Sequence, residues 1–244
     1  MDNNIISFIS NRPWLTKNSK SAPSPIIKTL PAWYREADRF FRDSNTNKYY
    51  VGDDGGKIPT WKACPAMFDI MGTGYSLNTP CDVEFIQKDE DTLIINIEDK
   101  QYKDFCTSRP PMPQFEHPEG YYKNHFAWFY DWSIKTPDGY SSILTQPFNR
   151  FELPFLNTSG IIDTDVVHLP GSLPFFIRKG WSGIIKAGTP FVQVIPFKRQ
   201  DWSSELIIDD SKNMYTRSKE NSKKYRVPNG GVYRNNVWTQ RRYE

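Results

Sequence analysis

Two histidines and a glutamate carry the one spacing in this chain that suits a metal. His117-Pro118-Glu119 is a His-x-carboxylate pair, and His168 follows downstream. That order of ligands gives non-haem iron a face of two histidines and one carboxylate with open positions opposite. Arg178 stands ten residues beyond His168, the offset at which a guanidinium would clamp the carboxylate of 2-oxoglutarate. The other reading of the same residues is a hydrogen-bonding His pair in loops, because Pro118 and Gly120 mark a turn. Asp163 and Asp165 alternate at strand period, which would send their carboxylates to opposite faces. Each would then accept backbone N–H groups of a turn, and the two would not work as an acid/base pair. Trp128, Tyr130 and Trp132 share one strand face at period two. They are core packing, or an aromatic surface on which bases or sugars stack.

Other chemistry is missing from the sequence. No phosphate-cradling GxxxxGKS/T, no GxSxG and no CxxC is present, so nucleotide-loop, hydrolase-elbow and zinc-ribbon readings have no footing. Asp53-Asp54-Gly55-Gly56 lacks the alternating oxygen ligands of a calcium loop. Cys64, Cys81 and Cys106 are widely spaced and odd in number, which reads as buried free thiols.

The elements that must position these residues are strands. From Trp132 to Arg199, short apolar runs (Ser142–Leu144, Ile161–Ile162, Phe175–Ile177, Gly183–Ile185, Phe191–Ile195) alternate with Pro, Gly and Asn turn signals. That punctuation predicts an antiparallel sandwich or barrel. Upstream, Gly74–Leu77, Asp82–Ile86 and Thr92–Glu98 read as half-buried strands, and Phe126–Tyr130 as an aromatic one. Leu30–Tyr34 opens a short helix with Trp33, Ala37, Phe40 and Phe41 on its apolar face. Ala66–Met71 reads as a helical turn stopped by Gly72. Ser204–Ile208 reads as an edge strand, Met214–Arg226 as a frayed basic helix or disorder, and Gly230–Glu244 as an extended aromatic-basic terminus.

Composition sets bounds. The chain has 244 residues, 15% of them aromatic, with 19 Pro, enough for one large domain with decorated ends. Its organisation reads as an N-terminal arm over 1–31, a single β-rich domain over 32–202 and a basic, aromatic tail over 203–244. No apolar run of about 18 residues exists, so no membrane span is expected. The opening residues lack a basic region followed by a long apolar one, from which a cytoplasmic location is expected, in a host cell or a virion if the gene is a phage's. Net charge is +3, with +5 over residues 198–244 and −2 over the remainder. So small an excess does not support nucleic-acid binding and suits a soluble tail.

Five segments, in order, resemble an uncharacterised domain family carried by bacteria and tailed phages, marine ones included. They are Leu30-Pro31-Ala32-Trp33-Tyr34; Lys62-Ala63-Cys64-Pro65 with Gly74-Tyr75; Thr136-Pro137-Asp138-Gly139-Tyr140-Ser141; Gly160-Ile161-Ile162-Asp163-Thr164-Asp165; and Gly188 through Arg199. The resemblance spans residues 28–202. It implies a phage setting and one domain over most of the chain, and it implies no activity.

A second likeness is at the level of fold. The Gly160–Asp165 segment, followed by the Lys186–Val194 strand, is similar to the core of the dUTPase and dCTP-deaminase β-clip. There the corresponding carboxylate activates water, which would make Asp163 the catalytic position. The chain departs from that pattern at Gln146-Pro147-Phe148-Asn149-Arg150, where an Arg-Ser-Gly phosphate-binding segment would stand. It departs again at Asn229-Gly230-Gly231, all that remains of a Gly-rich closing arm.

The expected fold is mainly β: an antiparallel β-sandwich or β-clip-like barrel with a short N-terminal helix and extended termini. Three functions follow. The leading one is a non-catalytic binding or structural protein, phage-encoded, whose partner is protein and which self-associates through an exposed apolar patch. The second is an iron and 2-oxoglutarate oxygenase using His117, Glu119, His168 and Arg178. The third is a β-clip nucleotide hydrolase, or a nucleotide-binding relic of one, using Asp163. The sequence names no cofactor for the leading reading.

Overall fold

The computed structural model describes residues 4–53, 55–208, 213–225 and 233–244. Asp54, Arg226 and Asn229-Gly230-Gly231, on which parts of the sequence reading fell, lie outside the described residues. The fold is mainly β and antiparallel, as expected. In chain order the strands are β1 (Ser7–Ile9), β2 (Ser24–Pro25), β3 (Tyr75–Asn78), β4 (Val83–Gln87), β5 (Leu93–Asn96), β6 (Cys106–Arg109) and β7 (His125–Phe129). They continue with β8 (Ser133–Lys135), β9 (Tyr140–Thr145), β10 (Phe155–Asn157), β11 (Gly160–Ile162), β12 (Ser172–Ile177), β13 (Gly183–Ile185) and β14 (Pro190–Lys198). Two compact units contain them: residues 1–29, 73–199 and 243–244 form the first, and 30–72 with 200–242 the second.

In the first unit the strands form a five-stranded sheet β11-β9-β14-β3-β2 and a four-stranded sheet β10-β12-β7-β6. A three-stranded sheet β13-β4-β5 and the pair β1-β8 complete it. Among the described residues no sheet closes on itself. β14 sits between β9 and β3, and its residues Pro190–Val194 are buried without alternation, the signature of a strand covered on both faces. Proline is tolerated inside β12 and β14 for a positional reason. Pairing of β12 with β10 ends at Phe175, one residue after Pro174, and pairing of β14 with β3 ends at Val194, before Pro196. Each proline therefore faces only one paired neighbour, where a missing N–H leaves no gap in a second ladder.

The three large sheets send aromatic side chains into one core. Trp128 of β7 stacks flat on Phe175 of β12, centroids 4.0 Å apart at 5°. Phe191 of β14 meets Trp128 and Phe105 at 5.3 Å, and Phe85 of β4 meets Phe126 edge-on at 5.3 Å. Gly74, at φ +81, lets β14 pass close: a Cβ there would lie 2.1 Å from the Val194 carbonyl oxygen.

The second unit holds α1 (Ala32–Glu36), α2 (Pro65–Gly72) and α3 (Asn213–Tyr225). α1 is shorter than the apolar spacing predicts. Ala37 already takes an extended ψ of 140°, and the Lys62 ammonium donates to the terminal carbonyls of Tyr34 (2.5 Å) and Arg35 (2.8 Å). A cation on those carbonyls caps the helix there. Tyr34 is thus the buried residue, while Ala37 and Phe41 are exposed. Nor is the aromatic-basic terminus a free extension. Residues Tyr233–Val237 form a short helical turn, the Trp238 indole donates to Asp69 at 2.9 Å, Arg241 pairs with Asp69 at 3.0 Å and Arg234 donates to the Ala63 carbonyl.

The core predicts a graded response to truncation. Phe175→Ala lowers the unfolding free energy by about 3–5 kcal/mol, measured by urea denaturation. Ile161→Ala, at an exposed position, stays within about 0.5 kcal/mol. Equal effects at the two positions would contradict this placement of the core.

Candidate functional site

Three turn-bearing segments meet at one guanidinium. The Pro137-Asp138-Gly139 turn, with Gly139 at φ 80, launches β9. β11 stops at Ile162, and the chain rolls into a tight turn in which the N–H groups of Val166 (3.0 Å) and Val167 (2.8 Å) bond back to the Asp163 carbonyl. β14 pairs Lys198 with Tyr140, so the next residue, Arg199, arrives beside the first turn, and its N–H donates to the Gly139 carbonyl at 2.8 Å.

The Arg199 side chain then organises the site. Its Nη1 donates to Asp165 Oδ1 (2.8 Å), Ser141 Oγ (2.9 Å), the Tyr140 carbonyl (3.2 Å) and Asp163 Oδ1 (3.3 Å), and its Nη2 donates to Asp165 Oδ2. This is a bidentate Arg–carboxylate pair, the strong form of the interaction. Asp165 Oδ2 also accepts the Gly139 N–H at 2.8 Å, and Ser141 donates its hydroxyl to Asp163 at 2.6 Å. Beneath lies a chain of buried hydroxyls, Thr136 to Thr164 (2.8 Å) to Ser142 (3.0 Å). The hydrogen bonds from Arg199 pull the Asp165 carboxyl down to about 2 and push the guanidinium up in turn.

Chemically this is a clamp. Asp165 is held ionised, with each carboxylate oxygen accepting from Arg199, so it has no proton to give. The expectation that Asp163 and Asp165 point to opposite faces is corrected: the strand ends before either residue, and both carboxylates converge on Arg199. Arg199 itself was missed by the sequence reading. The signal that would have found it is the antiparallel register of β14 on β9, which no local motif encodes.

The clamp stiffens a surface that is apolar outside. β11 is the outermost strand of its sheet, and Ile161, Val166, Val167 and Leu169 around the turn are 47–75% exposed. The ion-paired turn thus carries an apolar rim on its outside.

The other predicted residues lie elsewhere or are otherwise engaged. His168 donates from Nε2 to the Asp165 carbonyl at 2.9 Å, so its ring belongs to the clamp's own turn. His117 and Glu119 are exposed in the turn before Tyr121. Among the described residues no group of three His, Cys, Asp or Glu is placed to hold a metal ion, so the structure does not assemble His117, Glu119 and His168. Arg178 donates to the carbonyls of Leu153 (3.2 Å) and Phe151 (3.4 Å), in the wall of a cleft of about 440 Å³ that it shares with Arg150. The aromatic surface is also corrected. Trp128 and Tyr130 are core residues, and Trp132 is half-buried against the same cluster. Burial holds the Tyr130 phenol up at about 12.

The clamp carries a pH signature. Asp165 ionises below the ordinary carboxylate value of about 3.9, so its contribution is complete above that value and is lost as pH falls towards about 2. Asp165→Asn therefore lowers the thermal midpoint at neutral pH, and the gap to wild type closes between about pH 4 and pH 2 in a calorimetric series. A gap that stays constant across that window would remove the clamp from the stability of this region.

No family model matches the chain, and no curated protein matches it. Among solved structures, a mutant dUTPase from phage phi11 of S. aureus is similar at 12% identity and a TM-score of 0.27, over 52% of this chain and 96% of that one.

Proposed function

We propose that this protein is a non-catalytic binding or structural protein that works by self-association, in the phage setting that its family resemblance implies. The observation that carries the reading is the segment after the clamp, in the second unit. Trp202, Leu206, Ile207 and Ile208 are 83%, 97%, 74% and 94% exposed, four large apolar side chains within seven residues. The sequence predicts an edge strand at Ser204–Ile208, yet these residues pair with no strand among the described residues. Lone exposed apolar residues are ordinary, but a contiguous run of this kind marks a surface that a partner covers. Burying one such side chain contributes about 1.5–3 kcal/mol, so covering the run supplies a substantial share of a stable interface.

The clamp region supports the same reading independently. Its Asp165 and Arg199 are spent on each other, and its exterior is an apolar rim. No helix of the described residues is long and apolar enough to cross a membrane, so a lipid span does not account for the exposed run.

Light scattering on the full chain across a concentration series tests this. Wild type is expected to run as an oligomer, and a Leu206→Asp, Ile208→Asp double variant as a smaller species with an unchanged circular dichroism spectrum. A wild type that stays monomeric up to the highest soluble concentration sinks the proposal. So does a double variant that keeps its full oligomeric mass.

A further inference from the structure

A small hollow in the first unit lies where residue 21, the end of β3 and the segment after β7 come together. Leu77, Phe105 and Phe191 line it beside Ser21, Asn78 and Trp132, which carry polar atoms. Its volume of about 10 Å³ suits a single water and nothing larger. Three buried polar atoms belonging to these lining residues have no partner: Ser21 Oγ, Asn78 Oδ1 and Trp132 Nε1. Asp131 also lines the hollow, and its Oδ1 accepts from Arg12 at 2.9 Å. An orphaned buried polar atom is destabilising, so three on residues that line one hollow call for a common partner.

Their chemistry selects that partner. An indole N–H can only donate. The Asn78 oxygen can only accept, and its orientation is set because Nδ2 donates to the Ala22 carbonyl at 3.3 Å. Ser21 can do either. A cation would face the indole hydrogen, and an anion would face the amide oxygen. The bound group must accept from Trp132 and donate to Asn78. We infer that the hollow is a site for one structural water that bridges Ser21, Asn78 and Trp132. Such a water fastens the segment leading into β2 onto the aromatic core.

The test uses the full ¹⁵N-labelled chain. The Trp132 indole signal is assigned by its disappearance in Trp132→Phe, and its cross-relaxation with water is measured in wild type and in Ser21→Ala. A long-lived water gives a cross-peak from the indole hydrogen that persists in Ser21→Ala, because Asn78 and Trp132 still hold it. The thermal midpoint of Ser21→Ala falls, since the hydroxyl's bond to the water is lost. No cross-peak in wild type, together with a midpoint unchanged or raised in Ser21→Ala, overturns the inference. That is how a dry hollow behaves when an unpaired hydroxyl is deleted.

Discussion

The first unit depends on one buried amide. Asn157, at the end of β10 in the four-stranded sheet, accepts the Trp128 indole N–H at 3.2 Å and donates from Nδ2 to the Phe191 carbonyl of β14 in the five-stranded sheet. Its own N–H donates to Gln146 Oε1 at 3.0 Å. Nearby, the wholly buried Gln193 accepts the Phe148 N–H and donates to the Thr73 carbonyl. These bonds are directional, whereas the apolar contacts around them are not. A core of Phe and Trp faces could slide, but an amide that must meet two fixed partners holds one register. Deleting either partner would leave a buried polar group unpaired, which costs more than the bond itself is worth.

From that register the position of Arg199 follows. Because β14 is fixed against β9 from Gln193 to Lys198, the first residue beyond it must emerge beside Gly139 and Tyr140. The guanidinium there finds Asp165 and Asp163 delivered by the turn after β11. The interior amides and the exterior clamp are thus consecutive consequences of one strand: its buried half sets the alignment, and its exposed end uses it. What the alignment produces is an ion-paired turn with an apolar rim.

Much of this was legible in the sequence, and the errors share a cause. Strands at Gly183–Ile185 and around Phe175–Ile177, Ile161–Ile162 and Phe191–Ile195 follow from apolar runs between turn residues, signals carried within about ten positions. The Asp163/Asp165 geometry was misread because period-two alternation was carried past Ile162, and only the bonds from Val166 and Val167 back to Asp163 end the strand there. The α1 face was misread for a similar reason. The Lys62 ammonium that caps it lies 26 residues beyond Glu36, and nothing local announces it. The aromatic face of Trp128 and Tyr130 was legible as a pattern, but its direction, into the core, depends on Phe175 and Phe191 on other strands. Spacing alone also suggested a metal triad, although His168 is consumed by its own turn.

The distribution of polar and apolar groups argues for the proposed function more strongly than any single residue does. A catalytic site needs polar groups left under-used and aimed at a place where a substrate can sit. Here several polar side chains are spent on the fold itself: Asn157 and Gln193 on backbone groups of the sheets, Asp165 and Arg199 on each other, and Arg178 on the carbonyls of a neighbouring loop. Large apolar side chains stay outside, at Ile161, Val166 and Leu169 in the first unit and at Trp202 to Ile208 in the second. Unused apolar surface is a driving force for association, and unused polar surface is a driving force for chemistry. Such exposed apolar surface is what the proposed self-association would bury.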